Sequence, residues 1–214
     1  MTKSPKRSYI NTRQQRPNEE KHKKQINNWA VKKRYGNCSH YLKKKLKSLV
    51  IDTDLDNSRN ALLKSGLRDS NIDTVDIDTK KNHLSTHNKQ TLKSYSEETN
   101  KSYDFVFADS VSNYNNSIRQ VLPLFERRKF NDKSLLGVTF CPRNSRSSSN
   151  YFQSKIIRMA NKCGYNLQPL DVPLKLRRGK SNNGKIKILK NWTDNVEFKR
   201  TGRTITAFFT VNFC

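Results

Sequence analysis

The sequence predicts an α/β fold, a mostly parallel Rossmann-like sheet whose last strand runs antiparallel. Three observations carry that expectation. The runs Leu49-Val50-Ile51, Phe105–Ala108 and Leu135–Phe140 are short, continuous and apolar, as strands covered on both faces must be. Each is followed by apolar residues at helical spacing: Ala61, Leu62 and Leu63, then Ile118 to Phe125, then Tyr151 to Met159. The chain then closes on two strands, Tyr165–Val172 and Thr204–Phe213, with no helix between them, which turns the final strand back against its neighbour.

Taken in order, residues 1–25 are Lys, Arg, Asn, Gln and Pro with almost nothing to bury, and read as a mobile basic arm, either a solvated tail or a nuclear address. Residues 26–46 form a lead-in segment in which Trp29, Val31, Tyr35 and Tyr41 are interleaved with Lys32, Lys33 and Arg34. Such a segment either stacks aromatics on bases while its cations hold phosphates, or is a helix that packs its aromatic side on the domain. The α/β domain proper spans 47–214. It begins with Lys47–Gly66, a strand, an acidic turn holding Asp52, Asp54 and Asp56, and a helix that Asn57 or Ser58 can cap and Gly66 can end. Ile72, Val75 and Ile77 alternate through a second strand, and Thr79–Lys101 is polar and offers no clear element. Tyr103–Tyr114 contains the strand that ends at Asp109, and Gly164 suits the end of the helix that starts near Tyr151. Residues 173–203 read as a basic insertion between the last two strands.

Charge narrows the partners. The formal net charge is +25, divided as +13 over residues 1–48, −2 over 49–108 and +14 over 109–214. A near-neutral centre between basic flanks suits a cofactor-binding half and a polyanion-facing half, with nucleic acid ahead of an anionic membrane surface. Cys38, Cys141, Cys163 and Cys214 form no CxxC pair, so free thiols are expected rather than a zinc site or a disulfide framework. His83 and His87 have helical ligand spacing but lie in a polar stretch, which favours solvated side chains. No apolar run reaches the length of a membrane span and the first residues lack a secretory core, so the expectation is a soluble intracellular protein, nuclear or cytoplasmic.

These residues resemble the Rossmann-like class I methyltransferases that use S-adenosylmethionine. The resemblance covers about residues 47–214. It rests on the closing strand pair and on Asp104-Phe105-Val106-Phe107-Ala108-Asp109, which matches the Asp-containing motif at the end of that family's fourth strand. More narrowly, LVIDTDLDNSRNALLKSG, NIDTVDID, YDFVFADS and GVTFCPR are similar to divergent methyltransferase-like proteins of large DNA viruses and protists. The resemblance implies S-adenosylmethionine as cofactor, with Asp52 and Asp54 near its methionine end, Asn57 beside them, and Asp76 or Asp78 on the ribose hydroxyls. It places Asp109 near the transferred methyl as the catalytic candidate. Asp76 and Asp78 can equally cap the segment that follows. One departure stands out: Thr53, Asp54, Leu55 and Asp56 occupy the turn where the family has glycines. Either the cofactor is held by another geometry or the fold is kept without the chemistry.

Nucleic acid, RNA or DNA, is the expected partner. Its candidate contacts are Arg143 and Arg146 in the loop after Phe140, and Arg177, Arg178, Lys180, Lys185, Lys187 and Trp192 in the basic insertion, whose flexible Gly179 and Gly184 suit a substrate flap. An extra strand built on Ile186, Ile188 and Leu189 is the structural alternative for that insertion. Two other functions remain open. A non-catalytic RNA- or DNA-binding protein would use the scaffold only to display basic surfaces. The Asp52-x-Asp54 pair after a strand also resembles the haloacid-dehalogenase phosphotransferases, with Asp109 as distal magnesium ligand, although Asp56 and the short spacing depart from that pattern.

Overall fold

The computed structural model describes residues 17–51, 57–76, 87–109, 114–140, 148–173, 176, 192–198 and 202–214. Among them β1 (Ser48–Ile51), β2 (Ile72–Val75), β3 (His87–Asn88), β4 (Tyr103–Ala108), β5 (Phe130–Phe140), β6 (Tyr165–Pro169), β7 (Trp192–Phe198) and β8 (Gly202–Phe213) form one sheet. Its order is β3-β2-β1-β4-β5-β8-β6, with β7 added to β8. Strands β1 to β5 pair in parallel, and β8 runs antiparallel to both β5 and β6. The expected sheet is therefore present, including the reversed last strand.

Alternation along the strands feeds two cores. Val106 and Ala108 of β4, Leu136, Val138 and Phe140 of β5, and Ala207, Phe209 and Val211 of β8 pack beneath α4 (Leu92–Glu98), α5 (Tyr114–Glu126) and α6 (Ser148–Lys162). Phe105 and Phe107, Leu135, and Phe208 turn to the opposite face, under α1 (Pro17–Tyr35) and α3 (Asn57–Lys64). A short helix, α2 (His40–Lys43), joins α1 to β1.

On the α1 face the aromatic rings form a ladder that needs Gly137. Phe107, Gly137 and Phe208 stand side by side on β4, β5 and β8. A Cβ at residue 137 would meet Phe107 Cδ2 at 2.5 Å and Phe208 Cε1 at 3.0 Å. Without it the Phe107 and Phe208 rings approach to 6.0 Å across the glycine. Trp29 of α1 meets Phe208 edge-on at 5.0 Å, and Tyr35 meets Phe105 at 6.0 Å, so one helix caps both ends of the ladder.

Helix ends follow local chemistry. Gly66, at φ 95°, closes α3 with its N–H on the Leu63 carbonyl while Leu67 N–H reaches Leu62, the left-handed stop anticipated there. The same pair of bonds closes α5, from Arg128 to Phe125 and from Lys129 to Leu124, but the left-handed residue is Arg128, at φ 51°. Gly164, at φ 81°, follows α6 as expected.

Several expectations need correction. Residues 17–25, assigned to a mobile arm, are the first half of α1, and residues 1–16 lie outside the described residues. The helix forms because Pro17 suits the first helical position, Glu19 and Glu20 suit its first turn and Lys32, Lys33 and Arg34 its last. Ile26, Ala30, Val31 and Tyr35 then supply a buried stripe. The unplaced stretch 79–101 contains β3 and α4, the latter capped by the Thr91 hydroxyl on Ser94 N–H at 3.1 Å. Strand β5 starts at Phe130, ahead of the expected Leu135, because polar Asn131–Lys133 interrupts its apolar pattern. Strand β6 ends at Pro169 rather than Val172.

The insertion also contains a strand. Both β6 and β7 lie on the same side of β8, Pro169 opposite Phe209 and Trp192 opposite Ala207. One sheet edge is thus interrupted after β6 and resumed at β7. The extra strand is Trp192–Phe198; Ile186, Ile188 and Leu189, where it was anticipated, lie outside the described residues.

Candidate functional site

Strand order reverses between β1 and β4: β2 and β3 extend to one side, β5 and β8 to the other. Connections therefore leave on opposite faces at that point and open a crevice at the carboxyl ends of the strands. Ile51 lies beside Ala108 there, so the chain leaves β1 and β4 at neighbouring strand ends, with Asp109 the first residue after β4. Asp76 follows β2 on the same edge, with its N–H on the Asn88 carbonyl at 3.2 Å.

Helix α1 crosses the sheet and delivers three side chains to this crevice. Lys23 Nζ donates to Asp109 Oδ2 at 3.2 Å, forming an ion pair in which the side chains are 21% and 11% exposed. Asn27 Nδ2 donates to Ser58 Oγ at 3.2 Å, which fixes the start of α3. His22 Nε2 donates to the Leu176 carbonyl at 3.2 Å, tying the root of the basic insertion to the helix one residue from Lys23. Val172 and Leu176 are themselves buried against the α1 core. Asp109 Oδ1 is buried and accepts no hydrogen bond among the described residues. A buried carboxylate oxygen with open acceptor capacity is costly for a fold and useful at a ligand site.

Of the anticipated site residues, Asp109, Asp76 and Asn57 fall on this one edge, Asn57 as the half-buried first residue of α3. Asp52, Asp54 and Asp78 lie outside the described residues, as do Arg143, Arg146, Arg177, Arg178, Lys180, Lys185 and Lys187. Trp192 is the first residue of β7. Sequence reasoning missed Lys23, Asn27 and His22, which sat within or beside the supposed arm. The helix-start and helix-stop residues of α1 were the signal that could have found them.

A second polar cluster sits at the opposite end of the strands. The hydroxyls of Tyr95 and Tyr103 reach Asp73 Oδ2 at 2.9 and 2.8 Å and lie 2.7 Å from each other, while Lys101 Nζ donates to Oδ1 at 2.8 Å. Burial pushes both phenols above their ordinary pKa. Because Asp73 is near the start of β2 and Tyr103 starts β4, this cluster braces the sheet and lies away from the crevice. Among the described residues no three His, Cys, Asp or Glu side chains converge as a metal site, and no helix is long and apolar enough to cross a membrane. Cys38, Cys163 and Cys214 are free thiols.

No protein-family model and no curated protein sequence matches this chain. Among solved structures it is similar to the N-methyltransferase NodS from Bradyrhizobium japonicum, at 8% identity and a TM-score of 0.52, over 92% of this chain and 99% of that one. It is also similar to wild-type Trm5b from Pyrococcus abyssi, at 12% identity and a TM-score of 0.50, over 79% of this chain and 45% of that one. The chain thus spans less than half the length of Trm5b. At these identities the likeness is one of fold: the chain has the Rossmann-like methyltransferase architecture.

Proposed function

We propose that the protein is an S-adenosylmethionine-dependent methyltransferase acting on nucleic acid. The observation behind this reading is Asp109, held at the strand-order switch by Lys23 through one carboxylate oxygen while the other is buried and, among the described residues, accepts no hydrogen bond. An acceptor in that place suits an N–H or O–H donor on a bound molecule, and Asp76 offers a second acceptor one strand beyond β1. The ribose hydroxyls of S-adenosylmethionine suit the carboxylate after β2, which leaves Asp109 to a donor on the substrate. Asp52, Asp54, Asn57, Asp76 and Asp78 would hold the cofactor, which supplies an electrophilic methyl group when bound. Asp109 would orient the attacking atom of the substrate and accept its proton, and Lys23 would keep that carboxylate aimed.

The substrate class rests on charge. The root of the basic insertion is tied by His22 to the same helix that carries Lys23, which supports Arg177, Arg178, Lys180, Lys185, Lys187 and Trp192 as backbone and base contacts beside the crevice, with Arg143 and Arg146.

A second reading is favoured by the same ion pair together with the residues that follow β1. A lysine on Asp109, and a turn without glycine where the cofactor would need one, would also suit a protein that retains the fold as a nucleic-acid binder without catalysis. Titration calorimetry with S-adenosylmethionine separates the two. Binding by the wild type, lost in Asp52→Ala with the far-UV circular dichroism unchanged, is the expected result. No heat at millimolar cofactor transfers the function to the binder, and magnesium-dependent phosphatase activity would transfer it to a phosphotransferase.

A further inference from the structure

We propose that the outward faces of α1 and α2 form a docking surface for a single nucleic-acid strand, with phosphates along Lys21 and Lys32 and a base stacked on Tyr41. The inference rests on the nucleic-acid reading above and gives it a location that the basic insertion does not supply.

Three observations lead there. The first is one-signed charge. From residue 21 to residue 51 the sequence has ten Lys or Arg and no Asp or Glu, whereas ordinary solvated surfaces interleave both signs. Lys23 and Arg34 turn inward to carboxylates, at Asp109 and Asp104. The second is alignment. Lys21, Lys24, Asn28 and Lys32 are exposed and recur every three or four residues, so they share one stripe of α1 that runs for about 16 Å. Each end of that stripe stands at the height of an inward ion pair on the opposite side of the helix, Lys23 with Asp109 above and Arg34 with Asp104 below, so the stripe itself faces solvent.

The third observation is an aromatic side chain that the fold does not use. Trp29 and Tyr35, its companions in the lead-in segment, are absorbed by the ring ladder. Tyr41 is 65% exposed and its neighbour Leu42 50%, on a helix that buries none of its residues. Lys45 Nζ lies 4.4 Å from the Tyr41 ring centroid, which leaves the other face of the ring for a base and a cation at hand for its phosphate. An anionic membrane is the lesser fit, because an interfacial helix needs an exposed apolar face and α1 spends its apolar face on the core.

The test is fluorescence anisotropy with a labelled single-stranded RNA of mixed sequence, titrated at several salt concentrations. Lys21→Gln/Lys32→Gln should shrink the slope of log affinity against log salt by roughly 1.4, about 0.7 for each phosphate no longer neutralised. Tyr41→Ala should weaken binding about fivefold or more and leave the slope alone. Arg158→Gln/Lys162→Gln removes the same charge from exposed positions on α6, on the other side of the sheet, and should leave the slope as it was. If that control weakens binding as much as the α1 variant, or if the α1 and Tyr41 variants bind like the wild type, the surface is overturned while the nucleic-acid reading stands. A wild type that fails to bind RNA even at low salt overturns both. Tighter binding to phosphatidylserine-containing vesicles than to RNA, lost in the same variants, assigns the surface to a membrane and overturns the proposal.

Discussion

Lys23 and Asp109, separated by 86 residues in sequence, meet at 3.2 Å, and a second ion pair of the same helix and strand, Arg34 with Asp104, also closes at 3.2 Å. The spacing is matched. Eleven residues of helix and five of strand each cover roughly 16 Å, so both pairs can close at once. Arg34 Nε also donates to the Asp104 carbonyl at 3.0 Å, and Asp104 Oδ2 accepts Lys47 N–H at 2.8 Å. A polar helix is thereby fixed in angle and in height against the strand that ends at the crevice.

Lys23→Met should destabilise the protein by about 1–3 kcal/mol, since it leaves a largely buried carboxylate without its cation. The double variant Lys23→Met/Asp109→Asn should recover part of that loss, because no charge is then stranded. Urea unfolding of the four proteins in the cycle measures the coupling. A cycle that sums to zero would show that the pair contributes nothing to stability.

Gly137→Val should cost about 1–3 kcal/mol through overpacking against Phe107 and Phe208. The opposite change is available at Arg128, whose left-handed backbone glycine adopts freely, so Arg128→Gly should gain about 1 kcal/mol. Thermal unfolding reads both, with midpoints moving in opposite directions.

Stability should also fall at alkaline pH. Burial, acting first, raises the pKa of Tyr35, Tyr95, Tyr103 and Tyr165 in the folded state. Below pH ~10 these phenols are protonated in both states and their contribution is fully present. Above it the unfolded chain loses protons first, so stability declines as pH rises towards the folded-state values. Urea midpoints from about pH 8 to about pH 11 should therefore drop, and Tyr103→Phe should flatten the decline while costing about 1 kcal/mol near neutrality for its lost bond to Asp73.

The sheet was legible wherever a strand is covered on both faces, because Phe105–Ala108 of β4 and Leu135–Val138 of β5 are unbroken apolar runs. Asp109 was found for the same reason, as the first charge after such a run. Its partner was not, since Lys23 is one cation among many and its pairing with a distant strand end leaves no local pattern. The first half of helix α1 was hidden by composition, because residues 17–25 hold no Ile, Leu, Val, Phe, Tyr or Trp; the second half was legible as one alternative, a helix packing its aromatic side on the domain, as Trp29 and Tyr35 do. Strand β7 was hidden because its pairing is set by β8, which was already read as the last strand. Asp76 was legible as a residue that follows a strand, and its placement beside β3 required a two-residue strand too short to carry a period.

The interrupted edge beside β8 has an evolutionary corollary. The chain leaves that edge after Pro169 and returns at Trp192, facing residues of β8 only two apart, roughly 7 Å along the strand. Both anchor points belong to one continuous template, so lengthening the intervening stretch adds only about 0.6 kcal/mol of closure entropy per doubling and shifts no register. Residues 177–191 can drift in length, charge and sequence while the strands on either side keep their places. Selection can then act on what the protein touches without renegotiating how it folds.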